Sequence, residues 1–150
     1  MRCKKNKMKN KNRVEIIEKI CKENNIEIEW RKSSVNSGLA YIDKRKIIIP
    51  TPKSDRKIIT CFHEIAHIIQ GRISPRYFEE YKAVKMSFEF MKEYNFKLTR
   101  KIKKNQKWYV ALCLQKAIHR KLNFENVPKE IIKFIQKDYP NTSKGIIKWL

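Results

Sequence analysis

Hydrophobic positions divide the chain into short alternating segments near the N-terminus and longer segments of helical period after them. Apolar residues recur at intervals of three and four in 13–24, which predicts a first helix. Apolar and charged residues alternate in 26–31, and two more short apolar runs, 39–43 and 46–50, follow a polar turn. Such segments are typical of half-buried strands, so we expect a small antiparallel sheet of about three strands.

The segment after these strands begins with residues that commonly start a helix. Ser54 or Thr51 can cap it, and Asp55 favours the positive end of the helix dipole. The helical period of apolar residues extends to about Gln70, and Gly71 is a natural stop. A second helix is therefore predicted between these signals.

Three more helices are predicted in the rest of the chain. Ser74 and Pro75 open one that extends to about Tyr94, since a capping residue followed by proline commonly starts a helix. The other two cover about 101–121 and 128–138. Together the elements indicate an α+β fold that is mostly helical, with the small antiparallel sheet near the N-terminus.

Length and composition indicate one domain. A chain of 150 residues that is 41% hydrophobic can build a sizeable core. Residues 1–12 are rich in Lys and Asn and are expected to form a disordered tail, which leaves a single domain over 13–150. No run approaches the ~18 apolar residues of a membrane span, and the basic tail lacks the apolar segment of a secretory signal. These features predict a cytoplasmic protein without membrane contact.

The charge of the chain is strongly positive. Its formal net charge is +21, and the helical C-terminal part, about 98–150, is notably basic. Such a field attracts polyanions, although much of the lysine can equally form a solvated surface. No helix-turn-helix, zinc-finger or aromatic RNA-binding pattern is present, so we expect only weak, non-specific nucleic-acid binding.

The predicted second helix contains the sequence His63-Glu64-Ile65-Ala66-His67, an HExxH motif. Four residues advance a helix by one turn and about 40°, so both imidazoles lie on one face and can share a metal ion. Two neutral imidazoles bind Zn²⁺, and the neighbouring carboxylate can take a proton from the water that the metal acidifies. This spacing predicts zinc ligation by the two histidines, with Glu64 as the general base.

A catalytic zinc site usually has a third protein ligand. The next predicted helix offers Glu79, Glu80 and Glu89. Its period places Glu80 within the apolar face, Glu79 at the edge of that face, and Glu89 on the side that faces solvent. A buried carboxylate is costly unless it is paired or bound to metal, which favours Glu80 as the third ligand. An ion pair between Glu80 and an arginine or lysine is the alternative.

The HExxH motif followed by Glu80-Tyr81-Lys82-Ala83 resembles the HExxH and ExxA elements of the ImmA/IrrE-type metallopeptidases. These are gluzincin-like proteins common in phages and mobile elements. The resemblance covers roughly residues 13–95. It implies a zincin-like fold, with His63, His67 and Glu80 on zinc and Glu64 as the general base. Three departures are the short loop between His67 and Glu80, the lack of a fused helix-turn-helix, and the basic C-terminal part.

These observations favour a zinc-dependent endopeptidase with a specific protein substrate. The resemblance implies a phage or mobile-element regulator as that substrate, and a host cytoplasm as the location of a phage-encoded enzyme. The alternative is a basic protein- or nucleic-acid-binding module that keeps a zincin scaffold without protease activity. Chelator-sensitive cleavage would favour the enzyme, whereas steeply salt-dependent DNA binding would favour the module.

Overall fold

A computed structural model describes residues 2–32, 34–121 and 123–136 of the chain. The described part is mostly helical and contains a three-stranded sheet near the N-terminus, as the sequence predicts. None of its helices is both long enough and apolar enough to cross a membrane. In chain order the elements are α1 (Arg2–Glu23), β1 (Glu27–Arg31), β2 (Leu39–Tyr41), β3 (Lys46–Pro50), α2 (Asp55–Gln70), α3 (Arg76–Glu93), α4 (Arg100–His119) and α5 (Lys129–Gln136).

The sheet is mixed rather than antiparallel. Its strand order is β1-β3-β2, so β3 lies in the middle. β2 pairs antiparallel with β3, for example Leu39 with Ile48, whereas β1 pairs parallel with β3, starting at Glu27 with Lys46. The prediction of an all-antiparallel sheet is therefore wrong for β1. Alternation reveals which side of a strand is buried, but it carries no information about the direction of the neighbouring strand.

The first helix is longer than the sequence predicts. α1 begins at Arg2, so the backbone of the segment expected to be a disordered tail is helical in the structure. Extending a helix costs much less than nucleating one. The apolar positions Ile17, Ile20 and Cys21 are buried and anchor the C-terminal half of α1. The polar N-terminal half then continues a helix that is already formed.

Residue contacts divide the chain into two compact units, where the sequence predicts one domain. The first unit comprises residues up to 72 together with 85–98, and the second comprises 73–84 together with the residues from 99 onward. The first thus holds the sheet, α1, α2 and the C-terminal half of α3. The second holds the N-terminal half of α3 with α4 and α5.

Each unit has its own apolar core. In the first, Phe62 of α2 is fully buried, and its ring stacks on Phe90 with centroids 5.2 Å apart. In the second, Tyr81 of α3 meets Phe134 of α5 edge to face at 5.1 Å, and the Lys107 ammonium lies 4.6 Å from the centre of the Phe134 ring. Aromatic pairs of this kind stabilise a core by about 0.5–1.5 kcal/mol beyond the area they bury.

The ends of α2 confirm the predicted helix signals. The Ser54 hydroxyl accepts a hydrogen bond from the Lys57 backbone N–H at 3.2 Å, which makes Ser54 the N-cap. Asp55 in the first turn pairs with Arg13 of α1 at 2.7 Å. At the other end, Gly71 has a φ of 73° and its N–H donates to the His67 carbonyl. These contacts fix the start and the end of the helix that carries the HExxH motif.

Candidate metal centre

The two histidines of α2 converge. Their Nε2 atoms lie 3.1 Å apart, and the rings are nearly perpendicular, with centroids separated by 4.7 Å. Both side chains are buried. Two nitrogen ligands at about 2.0–2.1 Å from a tetrahedral zinc would be about 3.3 Å apart. His63 and His67 are therefore close to the spacing that a shared metal ion requires.

Glu80 of α3 completes a group of three possible ligands with these histidines. One ligand atom from each of His63, His67 and Glu80 lies within 4.8 Å of the others, and all three residues are buried. Two imidazoles and one carboxylate form a donor set that occurs in catalytic zinc sites. The cluster could hold a metal ion, and it brings together the three residues that the sequence predicts as ligands.

The structure corrects the expected exposure of Glu79. The helical period places this residue at the edge of the apolar face, yet Glu79 is 4% exposed and Glu80 is 5% exposed. One Glu79 oxygen accepts a hydrogen bond from the Ile73 backbone N–H at 2.9 Å, and the other pairs with Arg76. Glu79 is buried because it closes the turn that precedes α3. Glu89 is exposed, as predicted.

Glu80 also has a cationic partner. The second terminal nitrogen of Arg76 lies 2.7 Å from Glu80 Oε1, one helical turn along α3. The sequence leaves open whether Glu80 binds a metal or forms an ion pair. The structure places Glu80 in the candidate metal cluster and also, through Oε1, in an ion pair with Arg76.

Glu64 lies beside the histidines on α2 and is partly accessible. Its side chain packs against Gly38 in the loop between β1 and β2, where an added Cβ atom would lie 2.6 Å from Glu64 Cγ. The same loop accepts a hydrogen bond from Thr60, whose hydroxyl lies 3.1 Å from the Asn36 carbonyl oxygen. The loop before β2 thus shapes the space around the predicted general base.

Cysteine thiols are poor alternatives as ligands in this part of the chain. Cys61 is fully buried in α2, and its thiol donates to the Pro50 carbonyl at 3.4 Å. Burial raises the pKa of the Cys61 thiol far above its usual range, and raises the pKa of Cys21 to about 12. Neither cysteine belongs to the group of possible metal ligands that the described residues form, which consists of His63, His67 and Glu80.

Two contributors to the site escape the sequence pattern. Arg76 stands at the start of α3 and looks like an ordinary basic surface residue, while Gly38 looks like part of a polar turn. The spacing of charges could have identified Arg76. Residues three and four positions apart on a helix are neighbours, and Glu79 and Glu80 occupy those positions relative to Arg76. No local signal identifies Gly38, since its contact with Glu64 joins distant parts of the chain.

Comparisons of the chain with protein-family models, with curated proteins and with solved structures found no match. The functional interpretation therefore depends on the geometry and chemistry of the residues described above.

Proposed function

We propose that this protein is a zinc-dependent endopeptidase with a zincin-like fold, similar to the ImmA/IrrE-type metallopeptidases. The observation that carries the proposal is the buried cluster of His63, His67 and Glu80. The motif spacing and the convergent Nε2 atoms support it further. Zinc is the proposed ion because imidazole suits zinc and other late transition metals better than magnesium or calcium.

Glu64 is the proposed general base and acid. When bound, zinc would acidify a water molecule and polarise the scissile carbonyl. Glu64 would take a proton from that water and deliver it to the leaving amine. Its position next to His63 in sequence and against Gly38 in space supports this role, because a partly accessible carboxylate can reach a substrate. His63, His67 and Glu80 would hold the ion.

The edge strand β2 is the proposed docking site for the substrate backbone. In the strand order, β2 has β3 on one side and no strand on the other among the described residues. Leu39 and Tyr41 are 44% and 43% exposed. An extended peptide can add to such an edge through main-chain hydrogen bonds, while side-chain pockets select the sequence. We propose a specific protein substrate, such as a phage or mobile-element regulator, cleaved in the cytoplasm.

The test is cleavage of a proteome-derived peptide library, read by mass spectrometry. We expect the zinc-loaded protein to produce new termini, and a chelator to abolish them until zinc is restored. Glu64→Gln should keep zinc and lose cleavage, because the amide retains the shape of the side chain but cannot act as a base. His63→Ala should lose zinc as well. Cleavage by Glu64→Gln at the rate of the unchanged protein would refute the proposed mechanism.

A second function, weak binding of nucleic acid, is favoured by the charge of the second unit. Its exposed ionisable side chains between 99 and 136 are mainly cationic, with only Glu125 and Glu130 as exposed acids in the described part. The exposed cations are Arg100, Lys101, Lys104, Lys116, Arg120, Lys121, Lys129 and Lys133. Such a surface attracts phosphates without selecting a sequence. If the protein cleaves no peptide, this basic surface would be the main support for the alternative, a basic binding module without protease activity.

A further inference from the structure

Arg76 bridges two adjacent buried carboxylates. One terminal nitrogen of its guanidinium pairs with Glu79 Oε1, and the other lies 2.7 Å from Glu80 Oε1. Both glutamate side chains are 6% exposed, whereas the arginine side chain is 65% exposed. The guanidinium thus reaches from solvent to two anions that are largely shielded from water.

The arginine is held from several sides. Glu79 Oε2 accepts from the Ile73 backbone N–H at 2.9 Å, which ties the Glu79 carboxylate to the turn before α3. The guanidinium also lies near Cys113 of α4: burial raises the pKa of that thiol, and the guanidinium lowers it against this larger effect. A planar guanidinium with fixed donors restricts the orientation of its partners more than a flexible ammonium does. Arg76 therefore holds the Glu80 carboxylate in one direction.

We infer that Arg76 is a positioning residue for the metal ligand Glu80, an inference that rests on the proposed metal site. A carboxylate has two oxygen atoms, so Glu80 can keep Oε1 on Arg76 while it offers Oε2 to the ion. Groups that hydrogen-bond a metal ligand in this way orient it and commonly contribute about 10–100-fold to metal affinity. Arg76 also offsets the repulsion between the two neighbouring carboxylates.

The direction in which zinc affinity changes when Arg76 is replaced distinguishes orientation of Glu80 from a purely electrostatic effect of the arginine charge. A cation near a metal site repels the metal ion, so removing its charge alone would raise zinc affinity. If Arg76 competes with the metal for Glu80, its removal would also raise affinity. If Arg76 orients Glu80, its removal lowers affinity. A loss of zinc affinity in a folded variant therefore indicates positioning.

The experiment measures zinc affinity by competition with a fluorescent chelator, together with circular dichroism and thermal melting of the metal-free protein. Arg76→Gln should bind zinc about 10–100-fold more weakly. Arg76→Lys should lose less affinity than Arg76→Gln, because its ammonium keeps the charge and can still contact Glu80. It should nevertheless lose some, because one ammonium cannot reproduce the contacts of the guanidinium with both carboxylates. Arg72→Gln is the matched control, since it removes the same charge four residues earlier and breaks an exposed pair with Asp43. It should leave zinc affinity within about twofold.

Each outcome of these zinc-affinity measurements either supports or overturns the role of Arg76. Unchanged or higher zinc affinity in folded Arg76→Gln would overturn it and would leave Arg76 as a structural ion pair or a competitor. Should Arg76→Gln fail to fold, Arg76→Lys carries the test, and affinity equal to that of the Arg72→Gln control would overturn the inference. The Glu80→Gln variant tests the proposed metal site itself, separately from the role of Arg76. If that variant binds zinc normally, the proposed metal site fails, independently of Arg76.

Discussion

Gly38 and Glu64 are so close that no other amino acid fits at position 38 without moving the glutamate. A Cβ atom on residue 38 would lie 2.6 Å from Glu64 Cγ and 3.2 Å from its Cδ. The atoms in the way belong to a flexible side chain, so the glutamate can turn aside at little cost to the fold. The absence of a side chain at Gly38 thus fixes the direction in which the Glu64 carboxylate points.

Gly38→Ala should therefore impair catalysis more than stability. We expect the variant to melt within a few degrees of the unchanged protein and to keep its zinc. Peptide cleavage should fall by about 100-fold or more, since a misplaced general base forfeits most of its contribution. Ser37→Ala, which adds no atom to the same loop, is the control and should retain cleavage. Full activity in Gly38→Ala would show that Glu64 does not need its observed position.

Glu80→Gln and Glu79→Gln should have different consequences, although both side chains are buried. A neutral amide is a poor zinc ligand, so Glu80→Gln should weaken zinc binding strongly. Glu79→Gln should mainly lower the melting temperature, because Glu79 joins Arg76 to the Ile73 backbone. Equilibrium zinc titration and thermal melting of both variants measure this contrast. Equal zinc affinity in the two variants would contradict the assignment of Glu80 as a ligand.

Metal removal should destabilise the folded protein. A ligand that binds only the folded state at 100 times its Kd adds about 2.7 kcal/mol, which corresponds to several degrees of melting temperature. We expect zinc to raise the melting temperature of the unchanged protein by this order, and a chelator to reverse the rise. His63→Ala should show no such shift. His119→Ala should show the full shift, because His119 is exposed and lies outside the cluster. A zinc-dependent shift in His63→Ala would argue against the site.

Nucleic-acid binding should be weak and should depend steeply on salt. Even about four phosphate contacts predict a loss of roughly 100-fold in affinity between 50 and 200 mM salt. Replacing both Lys101 and Lys104 with Gln should weaken low-salt DNA binding more than replacing Lys22 and Lys32, which are exposed in the first unit. Fluorescence anisotropy with DNA of several sequences measures both effects. Tight, sequence-selective binding at physiological salt would instead favour the alternative function.

The sequence predicts the site best where the contacts are local. Ser54 and Gly71 mark the ends of α2 because capping involves neighbours in the chain. The spacing of His63 and His67 predicts that their rings meet because both lie on one helix. The period of α3 also places Glu80 within the apolar face, where the structure finds it buried, but burial alone does not distinguish it from Glu79, which is buried as well.

Where contacts join distant segments, the sequence is silent or misleading. The parallel pairing of β1 with β3 depends on how the chain returns to the sheet, which alternation does not encode. The same limit applies to Gly38, whose contact with Glu64 is visible only in three dimensions. Glu79 illustrates a different failure. A helical wheel places it at the edge of the apolar face, but the turn before α3 supplies a backbone N–H that draws it inward.

The central position of β3 sets an order in which the sheet can assemble. β2 and β3 are joined by only a short segment, so their pairing closes a small loop. The pairing of β1 with β3 closes a much longer loop, because β2 lies between them in sequence. Closing the longer loop costs more entropy and is slower. We therefore expect the β2–β3 hairpin to form first and β1 to join it later. The loop that carries Gly38 connects β1 to β2, so Glu64 would acquire its final surroundings only at that later step.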